Sequence, residues 1–240
     1  MIKIENFEVM GWEHAIRGMR NPMNSWEKSD SYFGRVTEAD GMVYKQFDTH
    51  EHTDWMTLGE NDHKRMMNLS KAGTDHRKYM RMITVYLDIT APLYWWKEFD
   101  TYKVGTVANS CSTMHKIHAK EFEFSDFSVE HMRDRTFKHF METIDELNFW
   151  RDIFLEGGMV DNNDSTSCIV YPKHDKNAWW QMIQLLPTSY NQKRTVMLNY
   201  EVLNNIYHSR KNHKLDCWHT FCDWIESLPY SELIIGETNE

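Results

Sequence analysis

The chain has 240 residues, 41% of them hydrophobic and 14% aromatic, enough for one large domain, or one domain with an appendage, with a real core. A formal charge of −9 argues against a general nucleic-acid coat protein, because neutralising phosphates needs a net basic face, and leaves room for a local basic pocket. No apolar run approaches membrane-spanning length, the first residues lack the apolar core of a signal peptide, and the four cysteines show no metal spacing, which reads as a reduced cytoplasmic protein.

Residues 1–9 read as a short edge strand, and residues 12–19 as a helix with Arg17 and Arg20 three apart on one face. As a bare pattern these are two solvated arginines on a surface helix. Residues 21–54 are polar and rich in Ser, Asp and Gly, which predicts loops around a short strand at 42–47. His50, Glu51, His52 and Asp54 lie in this stretch, but two histidines without a clear third ligand read as a solvated loop rather than a metal site. Residues 60–72 form a helix with a stripe of Met66, Met67 and Leu69, ended by Gly73, and His76 follows in the next turn.

Residues 82–89 are β-branched, aromatic and loosely alternating, the pattern of a half-buried strand. Thr90 is then placed to cap a helix with Pro92 in its first turn and Leu93, Trp96 and Phe99 at helical spacing. Gly105 ends or bends this element. Residues 106–112 are small and polar, suited to holding a ligand by hydrogen bonds at close approach rather than to building core. His115 and His118 share a helical face, yet no carboxylate or thiol joins them, so no metal is expected. Ser128 caps residues 129–156, which read as one long helix or two and are stopped by Gly157 and Gly158. After a polar loop with an apolar run at 168–171, residues 177–186 are helical up to Pro187, and 195–198 form a short strand. Residues 199–213 and 215–228 make the last two helices, the first burying Val202, Leu203, Ile206 and Tyr207 and the second turning Trp218, Phe221, Cys222 and Ile225 inward.

Four features in this order resemble the flavin-dependent thymidylate synthase family. Ala15, Arg17 and Arg20 match its N-terminal Ala-x-Arg-x-x-Arg; Ala91-Pro92 matches its strand–helix junction; Leu185-Leu186-Pro187 resembles its Val-Leu-Pro; and Asn199, Asn205 and Arg210 match its Asn, five residues, Asn, four residues, Arg. Counted without a gap from Ala91-Pro92, the family's Arg-His-Arg trio falls on Thr101, Tyr102 and Lys103, so only Lys103 keeps a charge. The family's later serine falls on Cys111, with Ser112 beside it. A family acidic residue falls on Arg81 and a family arginine on Glu201, which reverses two charges. His76 meets the family's Gly-His pair only through a two-residue insertion.

The resemblance implies an α+β fold in a single domain over 1–240, with a curved, mainly antiparallel sheet packed with helices. It implies FAD held by His76, Lys103, Asn199 and Asn205, and a nucleotide such as dUMP bound by Arg210 and Ser112. Arg210 takes the catalytic role, because a fixed guanidinium aimed at ring oxygens stabilises negative charge as it develops on the pyrimidine. As a bare pattern, Arg210 is also the basic end of a helix. The activity implied is one-carbon (methyl) transfer in a cytoplasmic homotetramer that binds neither membrane nor nucleic acid. The alternative is a homologue that kept the fold, lost flavin catalysis and serves as a nucleotide-binding or structural protein.

Overall fold

In a computed structural model, which describes residues 2–33, 56–161 and 167–236, the elements run as follows. Strand β1 (Lys3–Met10) leads to helix α1 (Trp12–Arg20), then the short strands β2 (Tyr32–Phe33) and β3 (Met56–Thr57) and helix α2 (Glu60–Lys71). Strand β4 (Thr84–Pro92) runs directly into α3 (Leu93–Phe99), followed by β5 (Val107–Ser110) and α4 (Thr113–Lys116). The long helix α5 (Asp134–Glu156), strands β6 (Gly158–Asp161) and β7 (Cys168–Tyr171) and helix α6 (Lys176–Leu185) come next. Strand β8 (Asn191–Asn199), α7 (Tyr200–Arg210), α8 (Asp216–Glu226) and α9 (Glu232–Ile235) close the chain. The fold is α+β, with helices and antiparallel sheets. Among the described residues, one sheet has four strands in the order β1-β4-β8-β5, and β2-β3 and β6-β7 form two-stranded sheets. No helix among them is long and apolar enough to cross a membrane. The strand expected at 42–47 and the group His50, Glu51, His52 and Asp54 lie outside the described residues.

The chain divides into two compact units. The first comprises Thr90–Glu98 and Ser110–Lys193. Its core is aromatic: Phe122, Phe127, Phe140, Ile144, Leu147 and Met182 are buried together, with Phe127 edge-on to Phe140 at 5.0 Å. Apolar positions spaced three and four apart put Phe140, Ile144 and Leu147 on one face of α5, which is why this stretch is helical despite its many charges. Two expected caps differ here. Thr90 stays in strand β4, and α3 starts without a hydroxyl cap because its first two amides already have acceptors: Leu93 N–H donates to the carbonyl of Tyr190 (3.0 Å) and Tyr94 N–H to that of Thr188 (3.1 Å). Ser128 donates its hydroxyl to Asn191 Oδ1 and its N–H to Ser189 O, so the long helix begins only after Arg133.

The second unit comprises Ile2–Ile89, Phe99–Asn109 and Arg194–Glu240. It carries most of the four-stranded sheet, whose buried residues include Val85, Leu87, Ile89, Val196 and Leu198, and the helices α1, α2, α7, α8 and α9. Trp12, Tyr200 and Tyr230 pack edge-on at 5.3 Å each, and the Tyr200 hydroxyl is satisfied by the carbonyl of Pro229. Arg20 overturns the surface-helix reading. It is 4% exposed and its Nε–H donates to Asp62, itself fully buried, at 2.7 Å, while Nη1 and Nη2 reach the carbonyls of Ser25 and Lys28. Arg17 does stay exposed beside His14. Asp62 also accepts from the hydroxyls of Ser29 and Ser31. Burial pushes the Asp62 carboxyl up, but these hydroxyls and Arg20 together outweigh it and hold the group below the usual carboxylate range. In return Asp30 accepts from the first amides of α2 (Asn61 N–H and Asp62 N–H), so that helix is capped by a residue distant in sequence.

Candidate functional site

The site is built by α7 and by the turn after α3. Asn199 ends β8 and caps α7, its side-chain oxygen accepting from Val202 N–H at 3.0 Å. The helix then buries Tyr200 to Asn204, Ile206 and Tyr207, and Arg210 emerges half-buried in its last turn. Across from it the chain leaves α3 through a tight turn, with Tyr102 N–H donating to Phe99 O. Gly105 has φ of +80°, and a Cβ there would stand 2.9 Å from Asn199 Nδ2 and 3.3 Å from Val202 Cγ2. Only glycine lets this turn lie so close to the start of α7.

The turn brings Tyr102 to Arg210. Arg210 Nε–H donates to the Tyr102 hydroxyl at 2.9 Å, and the guanidinium carbon lies 4.8 Å from the centre of the Trp218 ring and 5.6 Å from that of Tyr102. Trp218 is fully buried on α8, so the floor under the arginine is rigid. Tyr102 is also a wall of a cavity of about 230 Å³, lined with it by Phe99, Asp100, Lys103, Thr106 and Ala108. Lys103 supplies positive charge to this hollow. Asp100 is tied to Arg194 by an ion pair of 2.8 Å. A fixed guanidinium with an aromatic wall and a lysine beside it can hold a planar ring bearing oxygen acceptors, or a phosphate.

Not all expected residues converge there. Asn205 is exposed on the opposite side of α7, where its side-chain oxygen lies 3.4 Å from Arg77 Nη2. Arg77 in turn forms an ion contact of 2.8 Å with the buried Glu201, close but not aligned as a hydrogen bond. The residue that reverses the family's charge is thus balanced inside this chain. His76 is exposed next to Arg77 in the turn before β4. The four expected cofactor residues therefore fall into two pairs, Lys103 with Asn199 and His76 with Asn205. Ser112 belongs to the first unit, where its hydroxyl caps α4 by accepting from His115 N–H, and Cys111 beside it is an exposed free thiol.

The expected small polar loop at 106–112 is in part strand β5. All four of its residues are exposed, because pairing at a sheet edge uses backbone groups and needs no apolar side chain. His118 stacks on Phe154 at 4.7 Å, and burial, with Lys116, His174 and Arg151 nearby, lowers its basicity. Among the described residues no cluster of His, Cys, Asp and Glu is suited to a metal. Two contributors were not legible as such. Tyr102 was visible only as the middle of a degraded trio, and Trp218 only as an inward-facing core residue. A single buried Trp carries no sequence mark of the arginine above it.

No family model matches the chain, and no curated protein matches it. Two crystal structures of the flavin-dependent thymidylate synthase ThyX from Helicobacter pylori, each with FAD and dUMP, align over 98% of this chain and 97% of theirs, with a TM-score of 0.60 at 13% identity. The chain has the ThyX fold. A UMP/dUMP methylase, PolB from Streptomyces cacaoi, bound with 5-Br dUMP, aligns over 86% of this chain and 76% of its own at 9% identity and a TM-score of 0.49.

Tested against FAD, this ThyX-like chain fits in part. Lys103 offers a cation at an open hollow, and Asn199 lies against the Gly105 turn beside it. That hollow is small for a dinucleotide, whose sites occupy about 300–1,000 Å³. His76 and Asn205 lie on another face of the same unit, so the described residues of one chain offer two partial surfaces rather than one complete pocket.

Proposed function

We propose that this chain is a ThyX-like enzyme that binds a pyrimidine deoxynucleotide such as dUMP at Arg210 and transfers a one-carbon (methyl) group to it with FAD. The observation that carries the reading is the half-buried guanidinium of Arg210, fixed by Tyr102 and Trp218 beside the Lys103 cavity. When bound and first reduced by an external donor, the flavin would supply the hydride for the transfer and end as oxidised FAD. Lys103 and Asn199 from one copy, with His76 and Asn205 from another, are the residues that would hold it. This division supports sites shared between copies; a homotetramer, a cytoplasmic location and a single domain over 1–240 are further parts of the proposal. Arg210 orients the pyrimidine by its ring oxygens and stabilises charge that develops there, while the aromatic walls limit water around that charge. Ser112 is proposed as a further contact to the substrate.

A second reading, in which flavin chemistry is lost and nucleotide binding remains, is favoured by two specific observations. Arg20 is consumed by Asp62, and Glu201 stands paired with Arg77, so both are spent internally. The absorbance of the purified protein, together with thermal melting in the presence of dUMP, dCMP or FAD, separates the two. Yellow protein, or protein that takes up FAD and melts higher with dUMP, supports the enzyme. Colourless protein that refuses FAD but melts higher with a nucleotide supports the second reading, and no response to any of the three overturns both. Light scattering tests the tetramer: a monomer in solution overturns the shared site.

A further inference from the structure

We infer that Tyr102 and Trp218 are positioning residues that aim Arg210, so that a nucleotide meets an immobilised guanidinium rather than a flexible one. This deepens the reading of Arg210 as the pyrimidine-binding group and rests on it. A free arginine side chain has many rotamers to lose when it is fixed. Here much of that freedom is already gone. Nε–H is committed to the Tyr102 hydroxyl at 2.9 Å, and one face of the guanidinium lies over Trp218 at 4.8 Å.

The two rings stand at 70° to each other with centroids 6.2 Å apart, so the guanidinium sits in a corner rather than in a parallel sandwich. The corner itself is braced. Trp218 is fully buried and packs edge-on against Phe221 at 6.0 Å and against the His213 ring at 6.3 Å. Phe221 in turn meets Phe99, the residue from which the Tyr102 turn departs, at 6.1 Å. The two elements that hold the arginine are therefore packed on each other. With one face over an indole, the guanidinium disfavours a ligand that must stack on that face. Tyr102 lines the 230 Å³ cavity, so the anchor of the arginine is itself within reach of a ligand placed there.

The test uses the full chain and two readouts. In 15N-labelled protein the Arg210 Nε–H resonance, assigned by its loss in Arg210→Ala, is expected to exchange slowly with water and to be displaced by the indole ring current. Tyr102→Phe removes the acceptor and keeps the ring, and it should return that resonance to the fast-exchanging position without a large change in melting temperature. Calorimetric titration with dUMP should then show about a tenfold weaker Kd for Tyr102→Phe and no further weakening when it is added to Arg210→Ala, because a positioning residue acts only through its target. An unprotected resonance in the wild type, one unchanged by Tyr102→Phe, or equal affinity of Tyr102→Phe and wild type overturns the inference. A protected resonance in protein that binds no pyrimidine nucleotide overturns the reading of the site instead and leaves the clamp standing.

Discussion

Replacing Arg20 by Met separates structural from ligand-binding arginines in this chain. Arg20 makes three polar contacts at 2.7 to 3.1 Å and is 4% exposed, and its partner Asp62 is fully buried. The substitution leaves Asp62 ionised and buried with only the serine hydroxyls and two backbone N–H groups for support. Breaking one side of a buried pair costs about 3–5 kcal/mol. For a chain of this length each kcal/mol moves the melting point by about 2–4 °C, so the expected fall is roughly 6–20 °C in calorimetry. Nucleotide affinity measured at a temperature where the variant is folded should stay as in the wild type. The penalty also has a pH signature. The folded carboxyl of Asp62 lies below its unfolded value, so its contribution is fully present above about pH 4 and is lost as pH falls through the folded value. The gap between wild type and Arg20→Met should therefore narrow as acid protonates Asp62 in the variant, since a neutral carboxyl no longer needs the guanidinium. A variant that melts within about 2 °C of wild type but binds nucleotide more weakly would refute the assignment, since the arginine would then be working in a ligand site.

Three further outcomes follow from the geometry. Gly105→Ala should destabilise by about 1–3 kcal/mol, because it combines a left-handed backbone with a Cβ 2.9 Å from Asn199 Nδ2, and should also weaken any ligand held at Lys103; denaturant melts with a binding titration read both. Asn199→Ala removes the cap of α7 and should cost about 1 kcal/mol, whereas Asn199→Asp, which keeps an acceptor, should cost less; equal losses would contradict the cap. Thiol labelling at about pH 8 should modify the exposed Cys111 and Cys168 first, Cys217 later, and Cys222 only on unfolding. Burial, with Asp223 and Glu226 nearby, pushes the Cys222 thiol up to about 11, so rapid labelling of it in folded protein would contradict the packing of α8.

What the sequence revealed, and what it hid, follows the range of each interaction. Helices α1, α2, α6, α7 and α8 were legible because their apolar periodicity and stop signals are local: Gly73 ends the α2 region, Pro187 follows α6, and Asn199 begins α7. The cap at Thr90 and the start at Ser128 failed because the groups that satisfy those amides and hydroxyls come from residues 188–191, far along the chain. Strand β8 is longer than its apolar centre predicts, since Asn191 to Arg194 pair through the backbone whatever their side chains. Arg20 was misread as surface for the same reason: Asp62 lies 42 positions away. At the site, the spacing of Asn199, Asn205 and Arg210 was visible, but a regular helix carries Asn205 round to Arg77 and away from Arg210. The partner that fixes Arg210, Tyr102, is 108 positions distant, and no local pattern announces such a contact.

The most direct measurement is a calorimetric titration of dUMP into wild-type protein and into Arg210→Ala, each checked for folding by its melting curve. The wild type should bind, and Arg210→Ala should bind at least about tenfold more weakly while melting near the wild type, given the 1.5–3 kcal/mol typical of a charged hydrogen bond. Equal affinities, or no binding by the wild type, would contradict the placement of a pyrimidine nucleotide at this arginine.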